Sequence, residues 1–409
     1  MQNQKHSLFR TADGNDYFWP FVLVTTLFFL WGFAHSILDV LNKHFQETMH
    51  IGKTESALVQ AVVYGGYFLM ALPAGQIIKR FGYRMGVIAG LLLYGVGALL
   101  FIPGGQLLSF PFFLFSLFII GCGLTCLETA ANPYVTVLGN EKGAARRINL
   151  SQSFNGLGWI VGPLVGGHFA FAAGSSQSSI SVPYAVIGIV VLCVALVFMR
   201  AKLPEVAEAN GAKQDTSAES TSLWQHRNFV FGLIALFMYV AAQTGINSFF
   251  INYVTENAGI SNVNASMLLG FGGMGLFMLG RMGGSWLMSR IRAHYVLFYC
   301  AVGATLAMAV LLTGAGALGV GAFLVCYLCE SIMFPTIFAL SLHGVGEHTK
   351  LASSFLIMSI VGGAIAPVLM GLIADHVSMA LAFSVPLVCF IVIAAYAADS
   401  FVNKLTSKR

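Results

Sequence analysis

Charge is what this sequence holds least of. Only 9% of its 409 residues are Asp, Glu, Lys or Arg, against 57% hydrophobic ones, a balance far too apolar for a soluble domain to keep in water. With so few charges there is no run that would make a nucleic-acid face, and the net charge of +5 matters through its distribution rather than its sum. Disulfides are lacking as a framework, because all seven cysteines fall within apolar runs. Cys326 and Cys329 make a lone CxxC without a second pair or a histidine cluster, so they read as packing residues and no metal is expected. Absent too are a Walker loop, a dinucleotide fingerprint, an HExxH and a nucleophile elbow. Nucleotide-driven pumps and membrane hydrolases lose their usual machinery, and neither catalytic residues nor a cofactor are expected.

What the chain does have is long hydrophobic runs. A membrane-spanning helix needs about 20 mainly apolar residues, and twelve runs qualify, near 18–41, 56–78, 84–103, 110–138, 148–172, 180–200, 228–254, 263–288, 294–313, 317–343, 351–374 and 378–400. The fold class is therefore an all-α integral membrane protein with lipid as its solvent. Residues 1–17 carry Lys5, Arg10, Asp13 and Asp16 without a small-residue cleavage pattern, so the first helix is expected to serve as its own targeting signal. Placing the N-terminus in the cytoplasm puts nearly every loop cation on that side, from Lys79, Arg80 and Arg84 to Lys408 and Arg409, and leaves Lys43 and Lys53 outside. That asymmetry predicts both termini cytoplasmic.

Between the sixth and seventh runs, residues 201–227 are polar and poor in aromatics. They read as a cytoplasmic linker between an N-terminal six-helix bundle, 1–200, and a C-terminal one, 228–409. The halves echo each other. Glu128 stands five residues before Pro133 as Glu330 does before Pro335, Ser153-Phe154 matches Ser354-Phe355, and GQIIKRFGYR at 75–84 has a partner in GSWLMSRIR at 284–292. Parallel repeats of this kind build transporters that rock about a midplane site.

A carboxylate near the bilayer centre costs about 2.5–3.5 kcal/mol on insertion scales, so it usually marks a polar cavity or an ion path. Three acids, Asp39, Glu128 and Glu330, lie within the runs. In CLETAANPYVTVLG, 126–139, helical spacing sets Glu128 and Asn132 on one face with Thr125. The fifth run opens on Asn149, Gln152, Asn155 and Gly156, followed by Trp159; amides that both donate and accept suit a ligand covered in hydroxyls, or glue between helices. The first run contributes His35, Ser36 and Asp39 on one face. Apolar counting puts Asp39 near the outer end of its run, so it reads either as an interfacial acid wetted from outside or as a carboxylate that loads a proton outside and unloads it inside. His35 either relays that proton or is hydrogen-bonded within the bundle. Gln243 and Asn247 take the corresponding places in the seventh run, and Gln60, Tyr64 and Tyr67 form a polar-aromatic stripe on the second. Arg281, near the end of the eighth run, reads as structural or gating.

Twelve runs in two halves, with GQIIKRFGYR between the second and third, resemble the major facilitator superfamily. CLETAANPYVTVLG, NLSQSFNGLG at 149–158 and FPTIF at 334–338 narrow the resemblance to its L-fucose permease-like branch of fucose, galactose and glucose:proton symporters. The resemblance implies that Asp39 is a first-helix protonation site, Glu128 a substrate-linked carboxylate, and Gln152 and Asn155 sugar-binding amides. This chain departs from the pattern at Lys79, where the superfamily has an acid, at His35, Ser36 and Leu38, where L-fucose permease has asparagines, and at Glu330, where it has an apolar residue.

The expectation is a bacterial inner-membrane carrier, monomeric and lipid-embedded, that imports a hexose, deoxyhexose or amino sugar with a proton by alternating access. Asp39 and Glu128 would couple the proton, and the sugar would meet Glu128, Gln152, Asn155, Asn132, Ser36, His35, Gln60, Tyr64, Gln243, Asn247 and Glu330. Sodium coupling, facilitated diffusion, drug or metabolite export and sugar sensing without flux are the rival readings.

Overall fold

The structure, a computed structural model, describes residue 9 and residues 16–139, 144–171, 181–201, 223–288, 290–343, 345 and 349–406. The described residues fold into helices without a strand element. The N-terminal half comprises α1 (Phe18–Met49), the short α2 (Lys53–Ser56), α3 (Leu58–Leu99), α4 (Phe101–Leu107), α5 (Phe110–Val137), α6 (Ala144–Phe171) and α7 (Ser181–Arg200). In the C-terminal half α8 (Arg227–Ala258) is followed by α9 (Asn262–Met267), which passes through a π-helical turn at Leu268–Met274 into α10 (Gly275–Met288). Then come α11 (Ala293–Leu312), α12 (Gly316–Glu330), α13 (Met333–Ser341), α14 (Thr349–Met358), a 3-10 turn at Ser359–Val361, α15 (Gly362–His376), α16 (Met379–Ala382) and α17 (Ser384–Thr406).

Among the described residues ten helical stretches are long and apolar enough to cross a membrane. One of them, Lys53–Leu107, contains two of the sequence runs, because the chain turns back inside α3 at Gly82, whose φ of 82° and ψ of 169° are not helical. Gly66 in the first arm and Gly97 in the second both press against Phe118–Ile120 or their neighbours on α5, so the two arms flank α5 at the same level. Only glycine adopts such a φ without strain, so the reversal is written in the sequence. The remaining run is α6, whose amides hold its hydropathy below that of its neighbours. Large apolar side chains such as Leu72, Phe115, Leu196, Leu279 and Val388 face outward, an outer surface that only lipid covers well.

Several boundaries differ from the apolar runs. The helix of run one continues to Met49, so Asp39 lies ten residues inside α1 rather than at its end. Apolar counting failed there because Lys43, His44, Gln46 and Glu47 end the hydrophobic run while backbone hydrogen bonding goes on. Runs ten and eleven, read as continuous, are each broken, at Ser331–Ile332 and at the 3-10 turn. Most of the linker, 202–222, lies outside the described residues, as do Lys142 and the side chains of Arg146 and Asn149.

Helices α1 and α6 meet along glycines. A Cβ at Gly158 would lie 2.4 Å from the Phe29 carbonyl oxygen, at Gly162 1.9 Å from Ser36 Oγ and at Gly166 2.9 Å from Ile37. Spacing of four residues puts all three on one stripe, the small-residue device by which membrane helices bring backbones close. Gly162→Leu is expected to lower the melting temperature of the detergent-purified protein, corresponding to about 1–3 kcal/mol. An unchanged melting temperature would show that the two helices pack differently.

Candidate functional site

Helical periodicity assembles a polar centre from three helices of the N-terminal half. His35 and Asp39 are one turn apart on α1, and Gln60, Tyr64 and Tyr67 follow one stripe of α3. The two helices run in opposite directions along each other, so Asp39 meets Gln60 while His35 meets Tyr67. Gln60 Nε2 donates to Asp39 Oδ1 at 3.0 Å. Tyr67 donates its single hydroxyl proton to Glu128 Oε1 on α5 at 2.7 Å, and its oxygen lies 2.8 Å from His35 Nε2. Because that proton is committed to the carboxylate, His35 donates from Nε2, which fixes its tautomer. His35 Nε2 and Glu128 Oε1 themselves are 3.8 Å apart.

Aromatic rings enclose this centre. His35 stacks on Trp159 of α6 at 5.9 Å with an interplanar angle of 11°, and Tyr64 lies 6.0 Å from both His35 and Tyr67. From the other half, Thr244 of α8 donates to the Tyr64 hydroxyl at 3.2 Å. Nearby, Tyr327 of α12 donates to Asn247 Oδ1 at 3.0 Å. Ring faces beside a carboxylate, an imidazole and hydroxyls are what a ring-shaped ligand bearing several hydroxyl groups calls for.

Exposure separates the three buried-run acids. The Glu128 side chain keeps 25% of its accessible surface, whereas Asp39 keeps 2% and Glu330 none. Glu128 thus reaches open space between the helices. Asp39 is closed off, and its Oδ2 has no protein partner among the described residues.

The predicted residues divide accordingly. His35, Asp39, Gln60, Tyr64 and Glu128 come together, with Thr244, which carried no signal of its own in an apolar run. Ser36 turns between helices instead, its Oγ donating to Phe33 O and Gly158 O. Asn155 Nδ2 donates to Phe28 O at 3.0 Å and so ties α6 to α1. Gln152, Gln243 and Asn132 are half-buried, and Asn132 Oδ1 lacks a protein partner among the described residues. Glu330 is buried outside the His35–Tyr67–Glu128 chain. Among the described residues no group of three or more His, Cys, Asp or Glu side chains is placed to hold a metal ion.

A membrane bundle of long apolar helices in two halves with a polar centre is the architecture of a carrier. The chain matches the Major Facilitator Superfamily over residues 23–359, and it belongs to that family. It is 36% identical over 394 residues to a glucose/galactose transporter of Brucella abortus biovar 1, covering 94% of this chain and 95% of that protein. With the L-fucose-proton symporter of Escherichia coli K12 it shares 38% identity over 416 residues, 94% of each chain. The crystal structure of a major facilitator transporter, FucP, in the outward conformation superposes with a TM-score of 0.68 at 35% identity, covering 94% of this chain and 99% of that one.

Proposed function

We propose that this protein is a proton-coupled secondary transporter that imports a monosaccharide by alternating access. One observation carries the reading: a partly exposed carboxylate, Glu128, shares a hydrogen-bonded chain with Tyr67 and His35, one helical turn from a second carboxylate, Asp39, that is closed off and held by Gln60. The first arrangement offers acceptors and a donor to sugar hydroxyls. The second offers a place for a proton that solvent does not freely exchange. The names of the glucose/galactose and L-fucose relatives support a hexose or deoxyhexose as the cargo.

The same reading puts it in a bacterial inner membrane with both termini in the cytoplasm, an orientation that the distribution of its loop cations supports. In that orientation the connection between α1 and α2 faces outside, and there the halves are joined. Asp375 accepts from the Lys53 and Thr54 backbone N–H groups and from Thr54 Oγ1 at 2.7–2.9 Å. Lys53 pairs with Glu256 at 2.9 Å, Asn262 donates to Glu47, Asn252 to Gln46, and Asn42 to Ser248 O. With the Tyr64–Thr244 contact, these bonds join the halves among the described residues, so the conformation reads as closed outward.

In the cycle, Asp39 takes a proton from outside, the sugar settles against Glu128, His35 and the aromatic rings, and the two halves rock to release both inside. Coupling requires that proton and sugar favour the transition only together. Proteoliposomes with an inward-directed pH gradient are expected to accumulate labelled D-glucose, D-galactose or L-fucose, with no requirement for sodium. Accumulation driven by a sodium gradient alone, or by neither gradient, would overturn proton coupling; no uptake of any of the three would overturn the sugar assignment.

A further inference from the structure

Glu330 is fully buried, and neither of its carboxylate oxygens has a protein partner among the described residues. It is the last residue of α12, immediately before the break at Ser331–Ile332 that separates α12 from α13. The C-terminal end of α12 turns the negative end of its dipole towards this side chain, which disfavours a second negative charge there. Burial of an ionised carboxylate without a partner is costlier still.

The groups that face it are few. From α8, Tyr239 donates its hydroxyl to the Glu330 backbone carbonyl at 3.1 Å, leaving the carboxyl untouched. From α11, the free thiol of Cys300 is hydrogen-bonded to that of Cys329, and Cys326, Tyr327 and Cys329 lie on α12 itself. From α10 comes one cation: Arg281 Nε donates to the backbone oxygen of the next residue, Ser331, at 3.4 Å, with its guanidinium 4.8 Å over the Phe277 ring. α10 is pressed onto the same break, because a Cβ at Gly280 would lie 2.5 Å from Ser331 Oγ and 2.9 Å from Leu328 O. A guanidinium held by one long hydrogen bond to Ser331 O thus lies one residue along the chain from an acid that has no hydrogen bond, at the discontinuity between α12 and α13.

We propose that Glu330 is a second proton carrier, in the C-terminal half, which holds its proton in the outward-closed conformation and releases it when movement at the α12–α13 break brings the carboxylate to Arg281. The O–H bond breaks, the proton passes to water, and the carboxylate gains the Arg281 guanidinium as its counter-ion. This inference rests on the proton–sugar symport reading and adds one proton per sugar to it.

The test is the equilibrium sugar ratio in proteoliposomes at clamped membrane potential, since each proton carried multiplies accumulation about tenfold per pH unit of gradient. Glu330→Gln and Glu330→Leu are expected to keep sugar counterflow exchange, because both reproduce an uncharged side chain. Each is expected to accumulate about tenfold less sugar per pH unit than the unmodified protein. An unchanged slope with pH overturns the proposal, as does loss of counterflow in both variants, which would show that the ionised carboxylate is what the fold needs. If the unmodified protein itself fails to accumulate sugar on a pH gradient, the symport reading fails and not the assignment of Glu330 within it.

Discussion

Asp39→Asn is expected to lower uphill accumulation of sugar about tenfold per pH unit of gradient while counterflow exchange continues within about a factor of two. The asparagine keeps the size of the neutral acid and can still meet Gln60 Nε2, which lies 3.0 Å from the Asp39 oxygen. What it cannot do is lose a proton. If loading and release at this position link the pH gradient to the sugar gradient, the substitution removes that proton from the cycle without touching the sugar site, and the accumulation ratio loses a factor of about ten per pH unit. The burial of Asp39, only 2% exposed and ten residues within α1, is what makes so large an effect reasonable: a group in free contact with solvent would exchange protons in every conformation and couple nothing. Steady-state uptake and counterflow measured on the same proteoliposomes decide the matter, and an accumulation ratio whose dependence on the pH gradient is unaltered by the change sinks the assignment.

Much of the architecture was legible because lipid imposes a simple rule, that every spanning segment be long, apolar and helical. Each of the twelve runs corresponds to helix among the described residues. The centre was legible where helical spacing alone decides who shares a face, as for His35 with Asp39 and for Gln60 with Tyr64. Spacing does not say what lies across from a face, and that is where the sequence reading ran out. Ser36 and Asn155 stand on polar stripes, yet Gly32, Gly158 and Gly162 bring α1 and α6 so close that both side chains are drawn into bonds with backbone carbonyls. Their amide and hydroxyl act as fasteners in this conformation. Thr244 and Tyr327 were missed because a single hydroxyl in an apolar helix has no periodic signature. Glu330 shows the limit of the repeat itself: its distance to the following proline copies that of Glu128, but Tyr67 and His35 have no counterparts beside it, so the same residue in the same repeat position meets a different environment.

The division of labour between the two N-terminal acids leads to the last result. Glu128→Gln is expected to weaken sugar binding about 10- to 100-fold, the loss that follows from replacing a charged acceptor in one or two hydrogen bonds worth about 1.5–3 kcal/mol each. Glu128 is partly exposed and already accepts from Tyr67 at 2.7 Å, so its remaining oxygen is free to meet a hydroxyl of the ligand. Glutamine keeps one carbonyl oxygen for Tyr67 but presents an amide N–H where the sugar needs an acceptor. At saturating sugar the variant should still accumulate cargo on a pH gradient, because Asp39 is intact, and its weakened binding should persist at every pH from weakly acid to weakly alkaline. Calorimetric or fluorescence titration across that range separates the roles. Binding as tight as in the unmodified protein, together with lost accumulation, would make Glu128 the proton's residue and leave the sugar to the amides and rings around it.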